Sequence, residues 1–213
     1  MDFKLQSYGE RAVLIQELDE KQQFCVIERL KTSAPEGFVE YVIGYSNLLV
    51  LFKNPLTVDR FPAWLATLPV TAPVDKSTAR LVEIPVKYNG ADLSEVAELT
   101  QINEDGVVAM HSRAEYRVRM MGFAPGFPYL DGLDSRLHLH RRASPRNHIA
   151  PGSVAIGGSH AGIYSVASPG GWHILGHTDY PLFQADQAKV DIPEATAVFA
   201  LAPGDRVKFV AID

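Results

Sequence analysis

Three stretches concentrate the residues able to do chemistry: "GFAPGFPYL" at 122–130, "SPRNHIAPGSVAIGG" at 144–158 and "AGIYSVASPGGWHILGHT" at 161–178. Glycine and proline turns alternate there with Arg146, Ser153, Tyr164, Trp172, His177 and Thr178. Glycines let a ligand approach backbone N–H groups, prolines fix loops in advance, and a few polar groups among aromatic walls make a pocket for a small polar or anionic ligand. In such a pocket Arg146 is a carboxylate or phosphate clamp and His177 a candidate acid or base. Ser153 and Thr178 would donate hydrogen bonds, with Tyr164 and Trp172 as walls. Phe127, Tyr129, Gly157, Gly158, Gly170 and Gly171 complete the expected binding set. The plain alternative is that "GFAPGFPYL" is a turn between strands and "SPGGW" a tight hairpin with a buried Trp. Phe127→Ala separates the two. A ligand- or partner-facing loop loses activity with its melting nearly intact, whereas a core turn loses stability.

Several other chemistries are excluded. No Gly-Lys dipeptide occurs, so no Walker-type phosphate loop is present, and "GGSHAG" at 157–162 sits between strand patterns where a dinucleotide fingerprint needs a helix. "PGSVA" lacks the flanking glycines of a nucleophile elbow. His138 with His140, and His173 with His177, have spacings compatible with a metal, but neither has a HExxH-type context, and no bound metal is expected. Cys25 is the only cysteine, which rules out an intrachain disulfide and a Cys-based zinc site, and it is expected as a buried thiol. The formal net charge of -5 argues against a nucleic-acid partner, with "HRRASPR" at 140–146 the one basic cluster.

The elements that must position these residues fall into two groups. In the first eighty, "DFKLQSYG" and "AVLIQEL" read as strands, "DEKQQFCVIERLKTS" as a helix, "GFVEYVIG" and "NLLVLF" as strands, and "LTVDRFPAWLATL" as a helix that Thr57 would cap. "PVTAPVDKSTAR" at 69–80 reads as a linker, giving a small α+β domain at 1–78 and a second domain at 79–213. There "RLVEIPVKY" is a strand, "ADLSEVAELTQI" a helix with Asp92 as cap and Glu95 three residues on, and "NEDGVVAMHS" a helix that Asn103 would cap. From about 115 onward, "EYRVRMMGF", "SVAIGG", "GIYSVAS", "WHILGHT" and "RVKFVAID" are short strands between turns, a β-barrel or sandwich pattern. Composition is globular, at 46% hydrophobic and 21% charged residues, and no run is long and apolar enough for a membrane span. The N-terminus does not read as a signal peptide, so a cytoplasmic protein is expected.

"GFAPGFPYL", "PR" followed by "PGSVAIGG", "SPGGWHILGHT", the lead-in "HSRAEYRV" and the closing "LAPGDRVKFV" resemble the KipI/PxpB family across almost the whole chain. Members are the PxpB component of 5-oxoprolinase, also described as allophanate hydrolase subunit 1. The resemblance implies a ferredoxin-like α+β N-terminal domain followed by a cyclophilin-like β-barrel. It implies a PxpC/KipA-like partner, a LamB/YcsF-like third subunit, and ATP-driven opening of 5-oxo-L-proline to L-glutamate, with ATP and Mg acting in the complex at an unassigned site. Other roles within reach of the resemblance are inhibition of a sensor histidine kinase and action on another amide or urea-derived substrate. Prolyl isomerisation is suggested by fold alone, a poor warrant. Two places depart from the common pattern. "IAPGS" stands where Val-Pro-Ala-Gly-Ser is usual, and "AGIYS" where Thr-Gly-Ile-Tyr-Pro is usual. If that Thr binds substrate, Ala161 predicts weaker or altered binding, since an unfilled buried hydrogen bond costs about 1–3 kcal/mol.

Overall fold

The structure, a computed structural model, describes residues 3–67, 79–187 and 198–213. The chain divides into two compact units, residues 1–78 and 79–213. Most of the expected linker at 69–80 lies outside the described residues.

In the first unit, strands β1 (Lys4–Ser7), β2 (Ala12–Gln16), β3 (Phe38–Ile43) and β4 (Leu48–Phe52) form an antiparallel sheet in the order β1-β2-β4-β3. Helix α1 (Glu20–Ser33) links the two hairpins and α2 (Pro55–Ala66) follows them. Asp19 starts α1 through a reciprocal cap, accepting from the Gln22 N–H while the Gln22 side chain accepts from its own N–H. Alternation puts Val13, Ile15, Leu48, Val50 and Phe52 on one sheet face, where Val26, Ile27 and Leu30 of α1 and Phe61 and Leu65 of α2 close the core. Cys25 is buried on α1 as expected. Helix α2 already begins at Pro55, two residues ahead of Thr57, the residue expected to start it.

In the second unit, seven strands close into a barrel in the order β10-β7-β6-β13-β5-β12-β9. They are β5 (Leu81–Lys87), β6 (Glu115–Met121), β7 (Pro128–Asp131), β9 (Ser153–Gly157), β10 (His160–Ile163), β12 (His173–His177) and β13 (Arg206–Ile212). Among the described strands only β5 and β13 pair in parallel. β8 (Arg146–Ile149) and β11 (Ser168–Gly170) form a separate two-stranded ribbon. β7, β8 and β11 arise inside stretches expected as loops, and β10 ends at Ile163, short of the expected "GIYSVAS" strand. Strict alternation on β5 turns Val82, Ile84 and Val86 into the barrel. β9 is buried along its whole length because both faces are covered: Val154 and Ile156 join the barrel core, while Ala155 joins a second cluster with Phe127, Ile149, Tyr164, Trp172 and Ile174.

Helices α3 (Leu93–Thr100) and α4 (Glu104–Arg113) connect β5 to β6. Asn103 caps α4 as expected, its side chain accepting from the Gly106 N–H at 2.8 Å. Asp92 precedes α3 but makes no side-chain cap bond. The expected capping box is absent because the Asp92 carboxylate is engaged elsewhere. No helix among the described residues is long and apolar enough to cross a membrane.

Candidate functional site

The turn from β8 into β9 passes through Gly152 at φ +81°, and β12 ends against it at His177. A Cβ on Gly152 would lie 2.3 Å from the Thr178 carbonyl oxygen and 2.6 Å from His177 Cε1, so glycine is required for this approach. Beyond it opens a cavity of about 250 Å³, bounded by Gly152, Ser165, His177, Thr178, Asp179 and Tyr180, with Pro151 and residues 181–183 also lining it. The half-exposed His177 ring places Nε2 3.2 Å from Asp179 Oδ1. Thr178 is buried, and its hydroxyl accepts from the Tyr180 N–H at 3.1 Å. Ser165 donates its hydroxyl proton to the Pro125 carbonyl, tethering the glycine-proline loop to the cavity wall. Across that loop lies a second, apolar pocket of about 290 Å³ bounded by Met121, Pro125, Phe199, Leu201 and Pro203.

Arg146 does not line the His177 cavity. Its guanidinium makes a two-pronged pair with Asp92, at 2.8 and 2.6 Å. Asp92 is 2% exposed and also accepts from Arg142 at 2.9 Å and from the Ile174 backbone N–H at 2.7 Å. Burial pushes this carboxyl up, but the Arg146 hydrogen bond, the Ile174 N–H and the two guanidinium charges outweigh it, so Asp92 lies below the usual carboxylate range. Glu95, the expected partner in the cap, pairs with Arg142 instead. The anion that Arg146 clasps is therefore internal. One carboxylate ties the start of α3, the ribbon, the 138–145 connection and β12 together.

The remaining expected residues gather around Phe127. Its ring meets Phe123, Tyr129, Tyr164 and Trp172 edge to face, with centroids 5.2–5.5 Å apart. Phe127, Tyr164 and Trp172 are nearly fully buried, so their rings lie behind the surface. The exposed ring is Phe123, held at φ +66° and 57% accessible. Gly157 lets the Trp172 ring lie on the strand backbone, and a Cβ on Gly170 would meet the Tyr164 hydroxyl at 2.1 Å. Burial raises the Tyr164 phenol above its ordinary range, a hydrogen bond at the Trp172 backbone working the other way. Gly171 accepts from the Arg142 N–H, and Gly158, at φ +63°, donates to Leu139. Ser153 is buried at the start of β9, in register with His177. Ala161 is fully buried in the barrel core and does not line the His177 cavity.

Among the expected residues, then, the structure brings only His177 and Thr178 to the cavity, and adds Gly152, Ser165 and Asp179. Of these, "APGS" carried a visible signal for Gly152, since a glycine between proline and a strand marks a special backbone conformation. The histidines with metal-like spacing use ring nitrogens on backbone carbonyls: His138 on Leu133 at 3.1 Å and His173 on His140 at 3.0 Å. Among the described residues no three metal-ligating side chains converge.

Residues 3–192 match the profile of the carboxyltransferase domain, subdomain C and D, and the chain belongs to that family. Within it the chain falls in the KipI/PxpB group: it is 40% identical over 180 residues to the 5-oxoprolinase B subunit of Escherichia coli O157:H7, covering 81% of this chain and 77% of that protein. The protein of the same name from Bacillus subtilis (strain 168) is 36% identical over 191 residues, 83% of this chain and 76% of its own. Among solved structures, TTHA0988 superposes with a TM-score of 0.78 at 32% identity over 95% of this chain, which spans 40% of that longer chain. A conserved uncharacterized protein from Pyrococcus horikoshii matches over 99% of this chain and 98% of its own, with TM-score 0.57 and 33% identity.

Proposed function

We propose that this chain is the PxpB-type component of an ATP-dependent 5-oxoprolinase, which opens 5-oxo-L-proline to L-glutamate together with a PxpC/KipA-like and a LamB/YcsF-like subunit, and is inactive alone. The observation that carries this reading is the 36–40% identity, over more than four fifths of the chain, to three proteins named as the B subunit of 5-oxoprolinase. The His177 cavity supports it by size, since about 250 Å³ accommodates a small cyclic amide. His177 is the candidate acid or base there, with Thr178 beside it. The described lining does not suit ATP: among the described residues it holds no lysine or arginine, the donors that with helix N-termini commonly hold phosphate oxygens. ATP and Mg are therefore assigned to another part of the complex, and no step at this cavity runs through them. For the domains, a split β2-α1-β3 unit around β4 supports the ferredoxin-like reading of the first, and the closed barrel the cyclophilin-like reading of the second. The test is reconstitution from purified subunits, leaving out each component in turn. Glutamate should form from 5-oxoproline and ATP in the complete mixture only. A complete, stably assembled mixture that forms none would refute the assignment.

A further inference from the structure

We infer that the Asn89–Gly90 pair, in the turn from β5 into α3, is a site of spontaneous deamidation that the folded chain holds closed by fastening Gly90 to β12. Asparagine followed by glycine is the pair in which the next backbone nitrogen most readily attacks the side-chain amide, because no Cβ shields it. Asn89 is the only asparagine of the chain that precedes a glycine, and it is exposed, so water reaches the reacting amide. Glycine is also required at position 90. A Cβ there would lie 2.3 Å from both the Ile174 carbonyl oxygen and the Leu175 carbonyl carbon, and 2.6 Å from the Gly176 nitrogen. The reactive pair is therefore built into the packing of this turn on β12.

In the reaction the Gly90 nitrogen loses its proton and bonds to Asn89 Cγ, the Cγ–Nδ2 bond breaks, and ammonia leaves with a proton, which gives a five-membered succinimide. Water then opens the ring at either carbonyl, leaving an aspartyl or an isoaspartyl residue. The fold opposes the first step. The Gly90 N–H donates to the Leu175 carbonyl at 3.0 Å, and the turn is pinned on both sides: the Asn89 N–H donates to the Lys87 carbonyl at 3.0 Å, the Leu93 N–H to the Gly90 carbonyl at 3.1 Å, and the Asp92 N–H to the Ile174 carbonyl at 3.0 Å. Ring closure takes the Gly90 nitrogen away from Leu175, so it waits for local opening of the turn. An isoaspartyl link lengthens the backbone by one methylene, and a turn packed this closely has no room for it. Gly90 and Asp92 then cannot both keep their bonds to β12, and Asp92 is the carboxylate on which Arg142, Arg146 and the Ile174 N–H converge. Modification at Asn89 thus undoes the clasp between α3, the ribbon and β12, and marks chains that have been unfolded.

The experiment incubates the full chain in mildly alkaline buffer, either folded or unfolded in guanidinium chloride, and follows the peptide carrying residue 89 by mass spectrometry. In the unfolded chain that peptide should gain the mass of one amide-to-acid conversion. In the folded chain it should do so at least about tenfold more slowly, since reaction is confined to the open fraction. Asn89→Gln, whose longer side chain must close a less favoured six-membered ring, should stop the change. Parent chain aged unfolded and then refolded should melt below fresh parent, whereas Asn89→Gln aged and refolded in the same way should keep its own melting temperature, which separates this lesion from other damage. Equal rates in the folded and unfolded chain, no modification of the unfolded chain, a change that persists in Asn89→Gln, or a melting temperature that survives modification of Asn89 would each overturn the inference.

Discussion

Replacing Phe127 with alanine tests the geometry of the aromatic cluster most sharply. The sequence allowed Phe127 to be a surface ring whose loss spares stability, but the ring is 2% exposed and meets four aromatic neighbours edge to face. Truncating a buried Phe costs about 3–5 kcal/mol through lost transfer energy and the cavity left behind. Each aromatic pair adds about 0.5–1.5 kcal/mol beyond area burial, which places this site toward the upper part of that range. A loss near 4 kcal/mol lowers the melting temperature of a domain this size by on the order of 10 °C. Relief is blocked on one side, because Gly162, whose added Cβ would meet Phe127 Cζ at 2.9 Å, belongs to a barrel strand. The assay is urea and thermal unfolding followed by tryptophan fluorescence. The chain has two tryptophans, of which Trp172 touches Phe127 and reports the cluster directly. Phe123→Ala serves as control, since its 57% exposed ring should cost less than about 1 kcal/mol. A Phe127→Ala protein melting within a degree or two of the parent would refute the core assignment and restore the ligand- or partner-facing reading.

Asp92→Ala should leave Arg142 and Arg146 facing each other without their buried carboxylate and cost about 3 kcal/mol, read as a lower melting temperature; an unchanged melt would show the cluster to be energetically idle. His111 is fully buried and its pKa is pushed down by burial to about 3, so the unfolded chain binds the extra proton first as pH falls. Stability should therefore decline from near pH 6.5 toward pH 3, by up to about 1.4 kcal/mol per pH unit from this group, and His111→Leu should flatten that slope in acid unfolding curves. Gly152→Ala should both destabilise the chain and disturb the His177 and Thr178 NMR signals, because the added methyl meets Thr178 O and the imidazole at a positive φ.

The elements whose pattern is local were legible. Alternation on β5 and the cap at Asn103 depend on residues within a few positions, and the structure has both. β7, β8 and β11 were hidden because strands of three or four residues that begin with or contain Pro, Gly or Arg carry no periodicity. Asp92 was misread for a physical reason: Asp-x-x-Glu before an apolar run is a capping signal locally, and only the fold brings Arg142 and Arg146, 50 and 54 residues away, onto the same carboxylate. Ser165 and Asp179 carried no signal, since a hydroxyl and an acid beside turns are ordinary surface residues until β12 and the Pro125 loop bring them to one cavity. Phe127 and Phe123 are indistinguishable by type and differ only in which of them the loop turns inward.

The central claim, that the chain is an oxoprolinase subunit whose His177 cavity takes part in turnover, is tested most directly by glutamate formation in the reconstituted complex with His177→Ala. The ring is half-exposed, so the variant should fold and assemble like the parent. The account predicts normal assembly and a loss of glutamate formation by a factor on the order of 100 or more, the usual contribution of a positioned acid or base. Turnover at the parental rate in an intact complex would contradict it.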